Sequence, residues 1–133
     1  MSRRLSRESL FKLIYAYLIS KKEYDFIDDS IGFSQDSRLD FQVLKKNYDS
    51  VISNLKEIIG VIDNSLIRYR LDRIYKVDLA IMINAVYEIH YSNSDKLKPA
   101  IPINEAVELA KKFSTEKSHV FINGVLASIS KNI

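Results

Sequence analysis

Residues 118–126 read SHVFINGVL, and the Asn-Gly pair at their centre allows two opposite interpretations. Between alternating apolar residues, Asn-Gly is the commonest signature of a two-residue hairpin turn. Here the apolar residues recur every three or four positions, as on one face of an α-helix; they are Phe121, Ile122, Val125, Leu126, Ile129 and Ile133. The spacing therefore predicts a C-terminal helix. Because a glycine inside a helix costs about 1 kcal/mol relative to alanine, we expect Gly124 to lie where another helix backbone approaches closely.

The same helical period appears in other parts of the chain. Residues 5–19, 41–58 and 103–113 each carry one apolar stripe, which predicts three amphipathic helices. Gly60 follows the second stripe, where we expect it to cap the helix. Residues 77–91 are apolar almost all round, which is typical of a helix buried by neighbours on several sides.

The segments between these helices are short, and none alternates like a strand. Residues 24–37 are acidic and have no period, so we expect a connecting loop, whereas residues 65–74 form a short amphipathic segment. Pro102 suits the first turn of a helix, where its missing donor would have no partner in any case. The pattern as a whole predicts an all-α, single-domain helical bundle of about six or seven helices over residues 1–133.

The composition limits the functions that are open to the chain. It has 133 residues, 47% of them hydrophobic and 28% charged, with only 3 glycines and 2 prolines, as expected of one folded, helix-rich domain. There are no cysteines, which excludes disulfides and thiolate chemistry. The first 20 residues have no small-residue cleavage site, and Lys12 interrupts their apolar run, so we expect neither a signal peptide nor a membrane span.

No motif for catalysis is apparent. His90 and His119 are far apart in sequence, and neither has a metal-ligand partner four residues away. The three glycines are too scattered to form a phosphate-binding loop. We therefore expect structural histidines, no metal, no cofactor and no enzymatic activity.

Two basic segments are candidates for a binding surface, and each has a structural alternative. The arginines at the chain start are either a solvated helix end or contacts to RNA phosphates. In RYRLDRIYK, residues 68–76, cations alternate with Tyr69 and Tyr75. Such a mixture can bind single-stranded RNA by phosphate contact and base stacking, but tyrosines beside a helix stripe more often pack into the core, which is the interpretation we favour.

Four blocks of the sequence resemble one known family. INEAVELAKKF (103–113) followed by STEKSHVFINGVL (114–126) is similar to the C-terminal signature of the NusB family of bacterial transcription antitermination factors. RRLSRESLFKLIYAY (3–17) and VDLAIMINAVYEI (77–89) resemble the family's other matching blocks, in the same order. The resemblance thus spans nearly the whole chain and is weakest over residues 20–65.

The resemblance implies a cytoplasmic, all-helical RNA-binding adaptor. Family members bind the single-stranded boxA element of nascent transcripts together with NusE, a small-subunit ribosomal protein, and join RNA polymerase with NusA and NusG. The family positions for RNA contact fall on Arg3, Arg4, Arg7, Lys117 and Ser118. Those that face NusE fall on Tyr15, Asp78, Phe113 and Phe121.

Some alternatives stay open at this point. The three aromatic residues assigned to NusE can equally belong to the core. A helical protein-interaction adaptor without sequence-specific RNA binding fits the same pattern. The domain is also found appended to RNA cytosine methyltransferases, but we expect none here because the sequence ends at Ile133. The basic run is interrupted by Leu5 and Ser6, and Lys117 stands where the family often has an acidic residue.

Overall fold

The computed structural model describes residues 3–92 and 98–131, and within them the fold is entirely helical. Two single 3-10 turns, Phe33–Gln35 and Leu71–Arg73, lie between the longer helices. The six α-helices are α1 (Arg3–Ser20), α2 (Phe41–Ser53), α3 (Leu55–Asn64), α4 (Lys76–His90), α5 (Ala100–Phe113) and α6 (Ser118–Lys131). The all-α prediction is therefore confirmed.

Helix α4 is the centre of the bundle. Its residues from Asp78 to Tyr87 are all buried, and α1, α3, α5 and α6 each pack against it. This is why the segment has no polar face: neighbours cover it on every side. The prediction of a helix buried on several sides is confirmed. Helices α5 and α6 also pack along each other, so the turn between them is held close to the start of α4.

The long apolar stripe over residues 41–58 belongs to two helices rather than one. Its inward positions are buried as predicted, including Tyr48, Val51 and Ile58. However, α2 ends at Ser53, and Asn54 leaves the helical conformation while its side-chain Nδ2 donates to the carbonyl of Ser50 at 2.8 Å. Helix α3 then continues through residue 60, so the prediction that Gly60 caps the helix is wrong.

Gly124 lies on the exposed face of α6, away from every other helix. A Cβ added there would meet no heavy atom within 4 Å beyond its own helix backbone. The expectation of a close helix approach at Gly124 is therefore wrong, although the apolar stripe of α6 faces inward as predicted, with Ile122 and Leu126 fully buried. Ile133, the last member of that stripe, lies outside the described residues.

The acidic stretch 24–37 is a loop, as predicted, but it is anchored. The backbone N–H of Tyr24 donates to the hydroxyl of Tyr48 at 3.0 Å, and the ring of Phe26 packs against that of Tyr48 at 5.5 Å between centroids. Asp29 accepts hydrogen bonds from the Tyr24 hydroxyl and from the backbone N–H of Ser34. This loop leads directly to α2, which Asp40 caps by accepting from the N–H of Val43 at 3.1 Å.

None of the helices in the described part of the chain is long and apolar enough to cross a membrane. Over the same residues, no three side chains of the histidine, cysteine and acidic types are grouped closely enough to hold a metal ion.

Candidate nucleic-acid interface

Arg7 joins three helices by ion pairs and is not a free helix end. Its Nε and Nη2 donate to the two carboxylate oxygens of Glu88 on α4, at 2.8 and 2.6 Å, and its Nη1 lies 3.4 Å from Glu105 on α5. Only 14% of the Arg7 side chain is exposed. The hydrogen bonds that Arg7 donates to Glu88 raise the pKa of the Arg7 guanidinium above its usual range. The expectation that Arg7 lies on an exposed, solvated terminus is wrong.

Arg3 and Arg4 are exposed at the start of α1. The Nε of Arg4 lies 3.3 Å from Glu105, yet 76% of the Arg4 side chain remains accessible. One turn further along, Glu8 accepts a hydrogen bond from Lys112 at 2.7 Å, which lowers the pKa of the Glu8 carboxyl. Carboxylates therefore lie among the cations at this end of the molecule, which we call the arginine end (Arg3, Arg4 and Arg7 with Glu88 and Glu105).

Tyr15 and Phe113, two of the residues predicted to face NusE, both pack against the ring of Phe11. The Phe11 ring is 6.5 Å from Tyr15 and 5.3 Å from Phe113, measured between centroids. The ammonium groups of Lys12 and Lys112 lie 5.6 and 5.2 Å from the centroid of Phe113. Phe11 is buried, whereas Tyr15 is 36% exposed and Phe113 is half-buried. The two predicted residues thus sit at the edge of the core and keep some surface for a partner.

Asp78 and Ser118, predicted to meet different partners, bind each other inside the protein. Both are buried. One carboxylate oxygen of Asp78 accepts from the hydroxyl of Ser114 at 2.5 Å, and the other accepts from the hydroxyl of Ser118 at 2.9 Å. Because the single hydroxyl proton of Ser118 is used in this way, its 2.8 Å contact with Thr115 requires Thr115 to be the donor. The network fastens the start of α4 to the α5–α6 turn.

A groove of about 650 Å³ opens above this network. On one side lies the segment that precedes α4, and on the other lie the α5–α6 turn and the first turn of α6. We call it the tyrosine groove, and its walls include Tyr69, Arg73, Tyr75, Lys117 and Phe121, with Asp78 and Ser118 also in the lining.

The groove collects four residues predicted from the sequence: Asp78, Lys117, Ser118 and Phe121. It does not include Arg3, Arg4 or Arg7. Arg7 pairs with Glu88, which lies ten residues beyond Asp78 on α4, or about 15 Å along the helix axis at 1.5 Å per residue. The two regions predicted to contact RNA are thus separated by most of the length of α4.

Tyr69 and Tyr75 are exposed, so the prediction that they pack into the core is wrong. They are 59% and 63% accessible, respectively, and the only aromatic partner of Tyr69 in the described chain is Phe121, edge-on at 4.8 Å. The inward positions of this segment are taken by Leu71 and Ile74, which pack against the core. Leu71 begins the 3-10 turn and Ile74 directly follows it, so their three-residue spacing was the available sign that the tyrosines face outward.

The comparisons with known proteins agree on one family. The family model described as "NusB family" matches residues 4–131. The transcription antitermination protein NusB of Finegoldia magna is 40% identical over 98% of this chain and 95% of its own length, and that of Clostridium novyi is 34% identical over 98% and 99%.

Solved structures share the fold. T. maritima NusB superposes with a TM-score of 0.85 at 27% identity, over 98% of this chain and 92% of that one. A structure described as antitermination factors NusB and NusE in complex with dsRNA gives a TM-score of 0.83 at 23% identity, over 98% and 97%. At that identity the second match is evidence for the fold alone.

Proposed function

The chain belongs to the NusB family, and from that premise we propose that it is a transcription antitermination factor that binds boxA-type single-stranded RNA together with NusE. The complex then joins RNA polymerase with NusA and NusG, in the cytoplasm, notably on ribosomal RNA operons. Residues 1–133 act as one RNA-binding domain. The family is one of transcription antitermination proteins and not of enzymes.

The observation that carries this proposal is the grouping of predicted contacts at one groove. Asp78 and Phe121 were assigned to NusE and Lys117 to RNA from two separate blocks of the sequence, and all three line the same groove. A surface that presents cations, exposed aromatic rings and apolar side chains together suits a joint RNA and protein interface. This supports a role in which RNA and NusE are bound side by side.

The geometry divides the predicted contacts into two groups. Arg3, Arg4 and Lys117 are exposed and can reach phosphates, while Tyr15, Phe113 and Phe121 keep accessible ring surface for NusE. Arg7, Asp78 and Ser118 are held in internal networks. For these last three we propose that their role at the interface is to position neighbouring residues.

The test is a titration of the purified protein with boxA RNA and a scrambled single strand, each with and without NusE. We expect tighter binding of boxA, with NusE increasing the preference. Equal and feeble binding of both strands, even with NusE present, would overturn the proposal and favour a helical adaptor without sequence-specific RNA binding.

A matched pair of variants tests the NusE surface. Phe121→Ala removes a half-buried ring at the groove, and we expect it to weaken NusE binding because aromatic anchors dominate interface energies. Ile27→Ala removes an apolar side chain that is 99% exposed in the loop before α2, and it should leave NusE binding unchanged. Equal NusE affinity for the two variants would contradict the assignment of Phe121.

A further inference from the structure

Two tyrosines in the groove have no structural role that accounts for their exposure. Tyr69 and Tyr75 keep more than half of their surface accessible, and Val120, which lines the same groove, is 66% exposed. Single exposed apolar residues are ordinary, but a cluster of them around a concave surface marks an interaction site.

The backbone of Tyr75 and the ring of Tyr69 are each restrained by a contact within the protein. Tyr75 directly precedes α4, and its carbonyl accepts the helix hydrogen bond from Leu79 at 2.9 Å. Tyr69 is braced edge-on by Phe121. A residue whose backbone or ring is restrained before a ligand arrives loses less conformational entropy on binding, which favours its use as a stacking surface.

The charges around the groove select the class of partner. Segment 68–76 carries four cations and one carboxylate, and within the described chain neither Arg73 nor Lys117 has a carboxylate at ion-pair distance. Among the carboxylates of the lining, Asp78 is buried under its serine donors and Glu116 is exposed. Unpaired cations beside exposed rings are the combination by which proteins bind single-stranded nucleic acid.

We propose that the tyrosine groove receives unstacked bases of single-stranded RNA, with Tyr69 and Tyr75 as stacking surfaces and Arg73 and Lys117 as phosphate contacts. This rests on the proposed RNA-binding function and extends it to residues that the family resemblance did not assign. Bases bound here lie about 15 Å from the arginine end, measured parallel to the axis of α4, so one strand that crosses the surface of the bundle in this direction can reach both regions.

The test uses fluorescence titration of a labelled single-stranded RNA of about twelve nucleotides, within the usual range of site sizes, against the whole protein at several salt concentrations. Stacking on one ring changes affinity by about fivefold or more when the ring is removed, so Tyr69→Ala and Tyr75→Ala should each weaken binding by at least that factor. Because a ring carries no charge, the slope of log affinity against log salt should stay as in the wild type. Tyr69→Phe and Tyr75→Phe keep the ring and should bind like the wild type.

The cation variants give the opposite signature. Arg73→Ala and Lys117→Ala should each flatten the salt slope by about 0.7. Glu116→Gln removes the exposed carboxylate from the groove and should strengthen RNA binding. Thermal unfolding of every variant checks that the fold is kept.

The outcomes separate this inference from the function on which it rests. If the wild type binds no single-stranded RNA, with or without NusE, both are overturned. If the wild type binds RNA and the tyrosine-to-alanine variants bind equally well, the groove inference alone is wrong. If those variants lose NusE binding but keep RNA binding, the groove is a protein-docking surface and the inference is again overturned.

Discussion

The arginine end and the tyrosine groove are both basic in sequence, but they differ in how their charges are used. At the arginine end, Arg7 is enclosed between Glu88 and Glu105. At the groove, Arg73 and Lys117 have no such partner among the residues described. The region with the denser run of arginines therefore has fewer free cations than its sequence suggests.

The difference shows that the number of cations in a segment does not give the charge it offers to a ligand. A guanidinium that donates two hydrogen bonds to one carboxylate has two of its five N–H donors occupied and its field partly cancelled. An exposed lysine without a partner keeps its donors and its full charge available to a ligand. Each of the following predictions tests one side of this contrast.

The largest effect is expected beneath the groove, at Asp78. Replacing it by lysine puts an ammonium group where a buried carboxylate accepts hydrogen bonds from two hydroxyls, so Asp78→Lys should lower the free energy of unfolding by about 3–5 kcal/mol. Urea unfolding followed by circular dichroism measures the change. Lys76→Ala, at the exposed start of the same helix, should stay within about 0.5 kcal/mol of the wild type. If Asp78→Lys unfolds with the wild type, the side chain is open to solvent and free to meet NusE directly.

The second effect concerns Arg7, because it is paired and mostly covered. Arg7→Ala leaves Glu88 without its two donors and should cost about 2–3 kcal/mol in urea unfolding. Its control is Arg4→Ala, which removes a neighbouring but 76% exposed arginine and should cost less than about 0.5 kcal/mol. Equal stability of the two variants would mean that both arginines are available for RNA.

The third effect is on the salt dependence of RNA binding. If Arg3 and Arg4 each hold one phosphate, the double alanine variant should flatten the slope of log affinity against log salt by about 1.4. That is a difference of about sevenfold between roughly 50 and 200 mM salt. Arg7→Lys keeps the charge at the ion pair and should leave the slope unchanged. A flatter slope for Arg7→Lys would mean that Arg7 contacts a phosphate. An unchanged slope for the double variant would mean that Arg3 and Arg4 do not.

The fourth prediction changes the stability of the protein at α6 without changing RNA binding at the groove. Gly124→Ala adds a methyl group to the exposed face of α6, where it meets nothing within 4 Å, and should raise the free energy of unfolding by up to about 1 kcal/mol. RNA affinity should not change, because residue 124 is not part of the groove lining. A loss of stability on thermal unfolding would mean that this face of α6 is covered by a close neighbour.

The smallest effect is a pH dependence at the arginine end. The hydrogen bond from Lys112 lowers the pKa of Glu8, so this carboxylate stabilises the fold above its unfolded pKa of about 4.3. The contribution is lost as the pH falls through the lower, folded value. Between pH 6 and 3 the wild type should therefore lose more stability than Glu8→Gln or Lys112→Ala. Parallel pH curves for all three proteins would show that the pair contributes nothing.

The groove was only half predictable from the sequence. The family blocks pointed to Lys117 and Phe121, and the structure places both at the groove. Tyr69 and Tyr75 were assigned to the core because their segment was taken as one amphipathic stretch, whereas a single 3-10 turn leaves Leu71 and Ile74 as its inward positions. The exposure of Gly124 was not predicted for a related reason. A helix period identifies which face is buried but not whether another helix packs on the opposite face.

The sequence by itself determined the helical class, the buried central helix and the family. These follow from periods and blocks within about fifteen residues, where each side chain's direction is fixed by its neighbours along the chain. Only the tertiary structure decided which polar side chains are paired with one another inside the protein. Arg7 and Glu88 are 81 positions apart, and Asp78 and Ser118 are 40 apart. Such pairs form because helix packing brings distant residues to hydrogen-bond distance, and removing charge from water is favourable only where that happens.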